Sequence, residues 1–122
     1  MATVLTNAGK AIAATRIKGG GGEPANLGWG TGFGTADVSD TALFGEAPEA
    51  RVPGTSSLQT TNVPADTYQV VATMTATAVR NITNAGLFDA TSGGNLFVHG
   101  DFAPVVLQQG DQIQFTIRLS IT

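Results

Sequence analysis

The residues able to do chemistry in this chain are few. His99 is its single histidine, and Asp101 stands two positions on. At strand spacing the two share a face, where an aspartate could orient a histidine acting as general base. Such a pair needs a nucleophile, and Ser92, Ser120 and the many threonines have no fixed relation to it. Alternation with Leu96, Val98 and Phe102 puts His99 and Asp101 on the face away from the core, as a polar pair at the surface or an interface. The run Gly28-Trp29-Gly30-Thr31-Gly32-Phe33-Gly34 has the glycine density of a phosphate-binding loop. That loop works by aiming the free amides of a following helix at the phosphate, and no strand–loop–helix pattern or P-loop lysine is present. A turn whose Trp29 and Phe33 enter the core accounts for it. Asp37, Asp40, Glu46 and Glu49 form a loose acidic group, but calcium takes about six to eight oxygens from a denser Asp/Asn loop. Capping and solvation explain these four.

Composition narrows the field further. Charged residues are 12% of the 122, about half the ~25% of an ordinary globular chain. Sixteen glycines and an apolar share of 42% fill the space. With one histidine and no cysteine, His-pair and thiolate metal sites, cysteine nucleophiles and disulfides are excluded. A net charge of −3 argues against a nucleic-acid or anionic-membrane surface, either of which needs clustered Lys and Arg. No stretch approaches the ~18–20 uninterrupted apolar residues of a membrane span. The start, Met1-Ala2-Thr3-Val4-Leu5-Thr6-Asn7, lacks a basic segment followed by an apolar block, so an unprocessed chain made in the cytoplasm of its host cell is expected. Neither an enzyme nor a cofactor is expected.

The elements that must carry these residues are mostly strands. A short helix is expected over Ala8–Lys18, capped by Asn7. Lys10, Arg16 and Lys18 on it are half of the six basic residues, and the macrodipole favours cations near a helix C-terminus. Four glycines, Gly19–Gly22, follow; they read either as a hinge or as a disordered loop. This divides the chain into an N-terminal arm and hinge, 1–22, and a body, 23–122. In the body, Asn26–Gly30 reads as a short strand and Asp37–Phe44 as a single helical turn. Glu46–Pro53, with two prolines, reads as an edge or loop. Tyr68, Val70, Ala72, Met74, Ala76 and Ala78 alternate with mostly polar neighbours. Ile113, Phe115, Ile117, Leu119 and Ile121 do so without a miss, which predicts a core-facing row. Ile82–Phe88 and Leu96–Phe102 are further strands joined by the turn Asp89–Asn95, and Gln108–Asp111 turns into the last strand. The fold class is all-β: a β-sandwich or jelly roll with a short N-terminal helical arm. Its polar faces carry Thr, Gln and Ser, with no lysine after Lys18. Natural sheets guard exposed edges with charge, so these faces are expected to be covered by neighbours.

Several segments together resemble small virion proteins of tailed bacteriophages. They are Thr6-Asn7-Ala8-Gly9-Lys10, Gly28-Trp29-Gly30-Thr31-Gly32 followed by Asp40-Thr41-Ala42-Leu43, Ile82-Thr83-Asn84-Ala85-Gly86-Leu87-Phe88-Asp89-Ala90, and the stretch from Asn95-Leu96-Phe97 through Gly110-Asp111 to Phe115-Thr116-Ile117. Such proteins are similar to capsid decoration (cement) proteins and to tail or fibre-associated modules. The resemblance implies a β-sandwich or jelly roll that assembles symmetrically on a particle, without enzyme activity. It carries over no site residues. The first expectation is a decoration protein on the virion surface that binds the major capsid protein and itself, as a homotrimer about a three-fold position. Its candidate contacts are the helix residues Lys10, Arg16 and Lys18. The isolated Arg51, Arg80 and Arg118 are added as arginines that pair with a neighbour's carboxylates or else end strands in solvent. The alternative is a tail or fibre module with a receptor- or carbohydrate-binding role, with Trp29, Phe33 and Tyr68 as aromatic platforms.

Overall fold

A computed structural model describes residues 3–122. The chain opens with a short strand, β1 (Thr3–Leu5), and a helix, α1 (Asn7–Lys18). Thr6, not Asn7, is the cap. Thr6 prolongs the extended backbone of β1, at φ −72° and ψ 166°, and its hydroxyl oxygen accepts the Gly9 N–H at 2.9 Å. At the other end Gly19 takes the left-handed conformation, φ 99°. The Gly19 N–H then donates to the Arg16 carbonyl and the Gly20 N–H to the Thr15 carbonyl, the paired bonds of a Schellman stop. Gly9 rests directly on the Phe97 carbonyl, where a Cβ would overlap it. Ile12 enters the core. Gly22 lies against the Asp89 carbonyl in the same way. The basic helix is thus seated on the body.

The described residues form eight strands in two antiparallel sheets. In order they are β2 (Asn26–Gly30), β3 (Val52–Pro53), β4 (Thr55–Gln59), β5 (Thr67–Thr75), β6 (Arg80–Phe88), β7 (Leu96–Leu107) and β8 (Gln112–Ser120). The larger sheet runs β1-β7-β6-β2-β3 and the smaller β4-β5-β8. Both turns read from the sequence hold. The Asp89 N–H donates to the Asn95 carbonyl to close the β6–β7 hairpin, and the Asp111 N–H to the Gln108 carbonyl before β8. The all-β, sandwich-like class is the one expected. Trp29, Leu27, Val70, Met74, Ile82 and Leu87 form its centre, with the Phe115 ring edge-on to Trp29 at 6.4 Å.

Three expectations need correction. Asp37–Phe44 forms turns without a helix. Its Asp37 carboxylate instead accepts the Ser39 amide and hydroxyl, a local alternative to helical bonding. Phe33 is 75% exposed and outside the core. The alternating row of β8 is real, but it is half-buried at Ile113, Phe115, Ile117 and Leu119, and Ile121 is exposed. The reason is position: β8 pairs with β5 on one side and has no strand on the other.

Candidate assembly surface

The segment between β2 and β3 folds back over the outer face of β6 and β7. Backbone bonds carry it: the Thr31 N–H donates to the Gly45 carbonyl, the Gly32 N–H to the Phe44 carbonyl and the Ala47 N–H to the Trp29 carbonyl. Under this flap sits His99, fully buried. Its Nδ1 lies 2.7 Å from Asp40 Oδ2 and its Nε2 3.0 Å from Asn84 Oδ1. The Asn84 amide is oriented by the flap itself, since Oδ1 accepts the Phe44 N–H and Nδ2 donates to the Phe44 carbonyl. Both imidazole nitrogens therefore face oxygen acceptors, and the ring of Phe44 lies 4.7 Å from that of His99. The expected His99–Asp101 surface pair is not formed. Asp101 accepts the Ala36 amide at 2.6 Å, and Asp40 takes its place beside the ring. No signal local to β7 marks Asp40 as the partner, because the flap brings it from 59 residues away. A histidine buried under a bonded flap staples that flap to the sheet.

The acidic group is dispersed in the same manner. Asp37 serves its own turn, and Asp40 serves His99. Glu46 pairs with Arg51 at 2.9 Å, and Arg51 also donates to the carbonyls of Ala90 and Gly93. The Arg51 guanidinium lies 3.4 Å over the ring of Phe88. Glu49 is a hub: it accepts from Trp29 Nε1 at 3.1 Å, from the amide and hydroxyl of Thr77, and from Arg80 Nε at 3.0 Å. Burial would raise its pKa, but the donors from Thr77, Trp29 and Arg80 outweigh it and hold the carboxyl at about 2. Among the described residues no three His, Cys, Asp or Glu gather to hold a metal.

The candidate contact residues therefore fall into two groups. Arg51 and Arg80 have carboxylate partners within their own chain. Lys10, Arg16, Lys18 and Arg118 are exposed. Arg16 donates to the Gly21 carbonyl, and Arg118 to the Gln69 side chain. Of the aromatic platforms, Trp29 is fully buried and cannot stack on a sugar. The Tyr68 hydroxyl donates to Glu23; burial and that carboxylate raise its pKa above the ordinary phenol value. Phe33 alone stands out in solvent.

One open cleft lies between the two sheets along β7 and β8. Its volume is about 440 Å³, and it is lined by Ala85, Val98, Phe102, Phe115, Ile117 and Arg118, among others. Beside it runs the unpaired edge of β8. This arrangement offers backbone donors and acceptors beside an apolar floor.

Comparison with known proteins points the same way. The sequence model of a family described as podophage GP4 fiber I protein gp80 matches residues 9–121. The chain belongs to that family. It is a phage structural protein of a fibre family, and the virion is its place. The match favours the fibre alternative over capsid decoration, which stood first in the sequence analysis. No curated protein and no solved structure matches this fibre-family chain.

Proposed function

We propose that this chain is a structural module of a phage fibre, acting by assembly with copies of itself and with neighbouring virion proteins, and not by catalysis. The observation that carries this is the family match across nearly the whole chain, residues 9–121. The structure supports it in two ways. The one histidine is sealed under the flap, and an apolar cleft of about 440 Å³ borders an unpaired strand. Exposed Lys10, Arg16 and Lys18 lie on one short helix and suit an acidic neighbour. Their attraction is screened by salt and gains strength when several copies act together. Antibody–gold labelling of purified particles tests the assignment. Label on fibres at the tail is expected; label confined to the head overturns it and restores the decoration reading.

A further inference from the structure

Sheet edges in this molecule are not equal. β1 offers three residues, β3 two and β4 five. β7 runs on past Gly100, the partner of Thr3, to Leu107, but Pro104 interrupts that stretch and has no N–H to donate. β8 offers nine residues, Gln112–Ser120, without a proline, a lysine or a recorded bulge against β5. At about 3.4 Å per residue that is an edge some 30 Å long, with Arg118 as its one charged guard.

We infer that β8 is a self-pairing strand: two copies of this chain join their β8 strands antiparallel about a two-fold axis at Thr116. The strand's own sequence supplies the argument. In that register Thr116 meets Thr116 of the second copy, Phe115 meets Ile117, and Ile113 meets Leu119, so every residue of the half-buried row faces an apolar partner. On the other face Gln114 meets Arg118 and Gln112 meets Ser120. Arg118 is the strand's one charge, and this register keeps it from its own copy. It repeats across the axis the arginine–glutamine bond that β8 already makes with β5, where Arg118 Nε donates to Gln69 Oε1 at 2.7 Å. No other described edge overlaps β8 over nine residues, so length selects the strand's own copy as its partner. The product is one continuous six-stranded sheet, with the half-open Phe115 and Ile117 of each copy extending the other's apolar row. A two-fold closes on itself, in contrast to the three-fold expected from sequence. The inference deepens the assembly reading by naming the first partner.

The chain has no cysteine, which makes the test clean. Cα atoms directly opposite in an antiparallel pair are about 4.5–5.5 Å apart, within disulfide range. Under oxidised glutathione, Thr116→Cys is expected to give a covalent dimer. Gln114→Cys and Arg118→Cys are expected to stay monomeric alone and to cross-link when mixed. Thr116→Lys, which opposes like charges at the axis, is expected to raise the dissociation constant several-fold in sedimentation equilibrium while leaving the far-ultraviolet spectrum unchanged. Failure of Thr116→Cys to cross-link overturns the pairing. So does equal cross-linking by all three single variants, or a wild-type trimer insensitive to Thr116→Lys. Particle labelling separates the two readings: tail label without the Thr116 cross-link sinks only the pairing, and the cross-link with head-only label sinks only the fibre assignment.

Discussion

The two faces of this sandwich are finished to different degrees. The larger sheet is closed: β6 is buried from Ile82 through Phe88, with the smaller sheet on one side and the flap on the other. Its polar groups are matched within the chain, and no described buried side-chain nitrogen or oxygen lacks a partner. The smaller sheet is left half-made. Its edge strand β8 has the same period-2 pattern as β5, yet its apolar row is only half-covered. The polar matching under the flap explains why His99 is structural. The missing cover over β8 is the place where the proposed strand pairing would act.

The sharpest way to break the comparison is Trp29→Ala. It removes a fully buried ring and strips Glu49 of one donor, and a loss of about 3–5 kcal/mol is expected in urea denaturation. A loss under about 1 kcal/mol, the range of an exposed site, would deny that the larger sheet is the finished one. His99→Ala comes next. It leaves Asp40 and the Asn84 carbonyl without their ring partner and is expected to cost about 2–3 kcal/mol, below the full cost of a broken buried pair because Asp40 still reaches water. Hydrogen exchange should quicken at the Thr31, Gly32 and Phe44 amides first, since their bonds form the flap. Ile82→Ala against Ile117→Ala sharpens the contrast. The first is expected to cost about 2–4 kcal/mol and the second about 1, because only the first side chain is fully enclosed. Equal costs would mean that β8 is already covered.

The acid limb of stability gives a smaller effect. The Glu49 carboxyl falls from 4.5 to about 2 on folding, so its contribution is complete above pH 4.5 and drains away as pH drops toward 2. Glu49→Gln should flatten the denaturation midpoint across that window. Some slope will persist, because Asp66 is also held below its ordinary value by the amides of Asn62, Val63 and Thr61. The smallest expected change in stability is that of Lys10, Arg16 and Lys18 replaced together by Ala. Melting should hold within about 0.5 kcal/mol, as for exposed sites, while attachment to particles weakens and loses its salt dependence.

Residue order alone determined the local facts. Period-2 alternation specified β5 and β8, and glycine and asparagine turns specified the β6–β7 hairpin. These are short-range properties, set by backbone geometry and side-chain alternation within a few residues. Tertiary structure alone decided what covers what. Asp40 reaches His99 and Glu49 reaches Arg80 across 59 and 31 positions, and the helix turns out to be seated on the body through Gly9 and Ile12. The status of β8 as an edge was equally hidden, because alternation assigns a residue to a face but says nothing about whether another strand or layer lies against it. Coverage depends on how distant segments share the same surface, and that competition has no local signature.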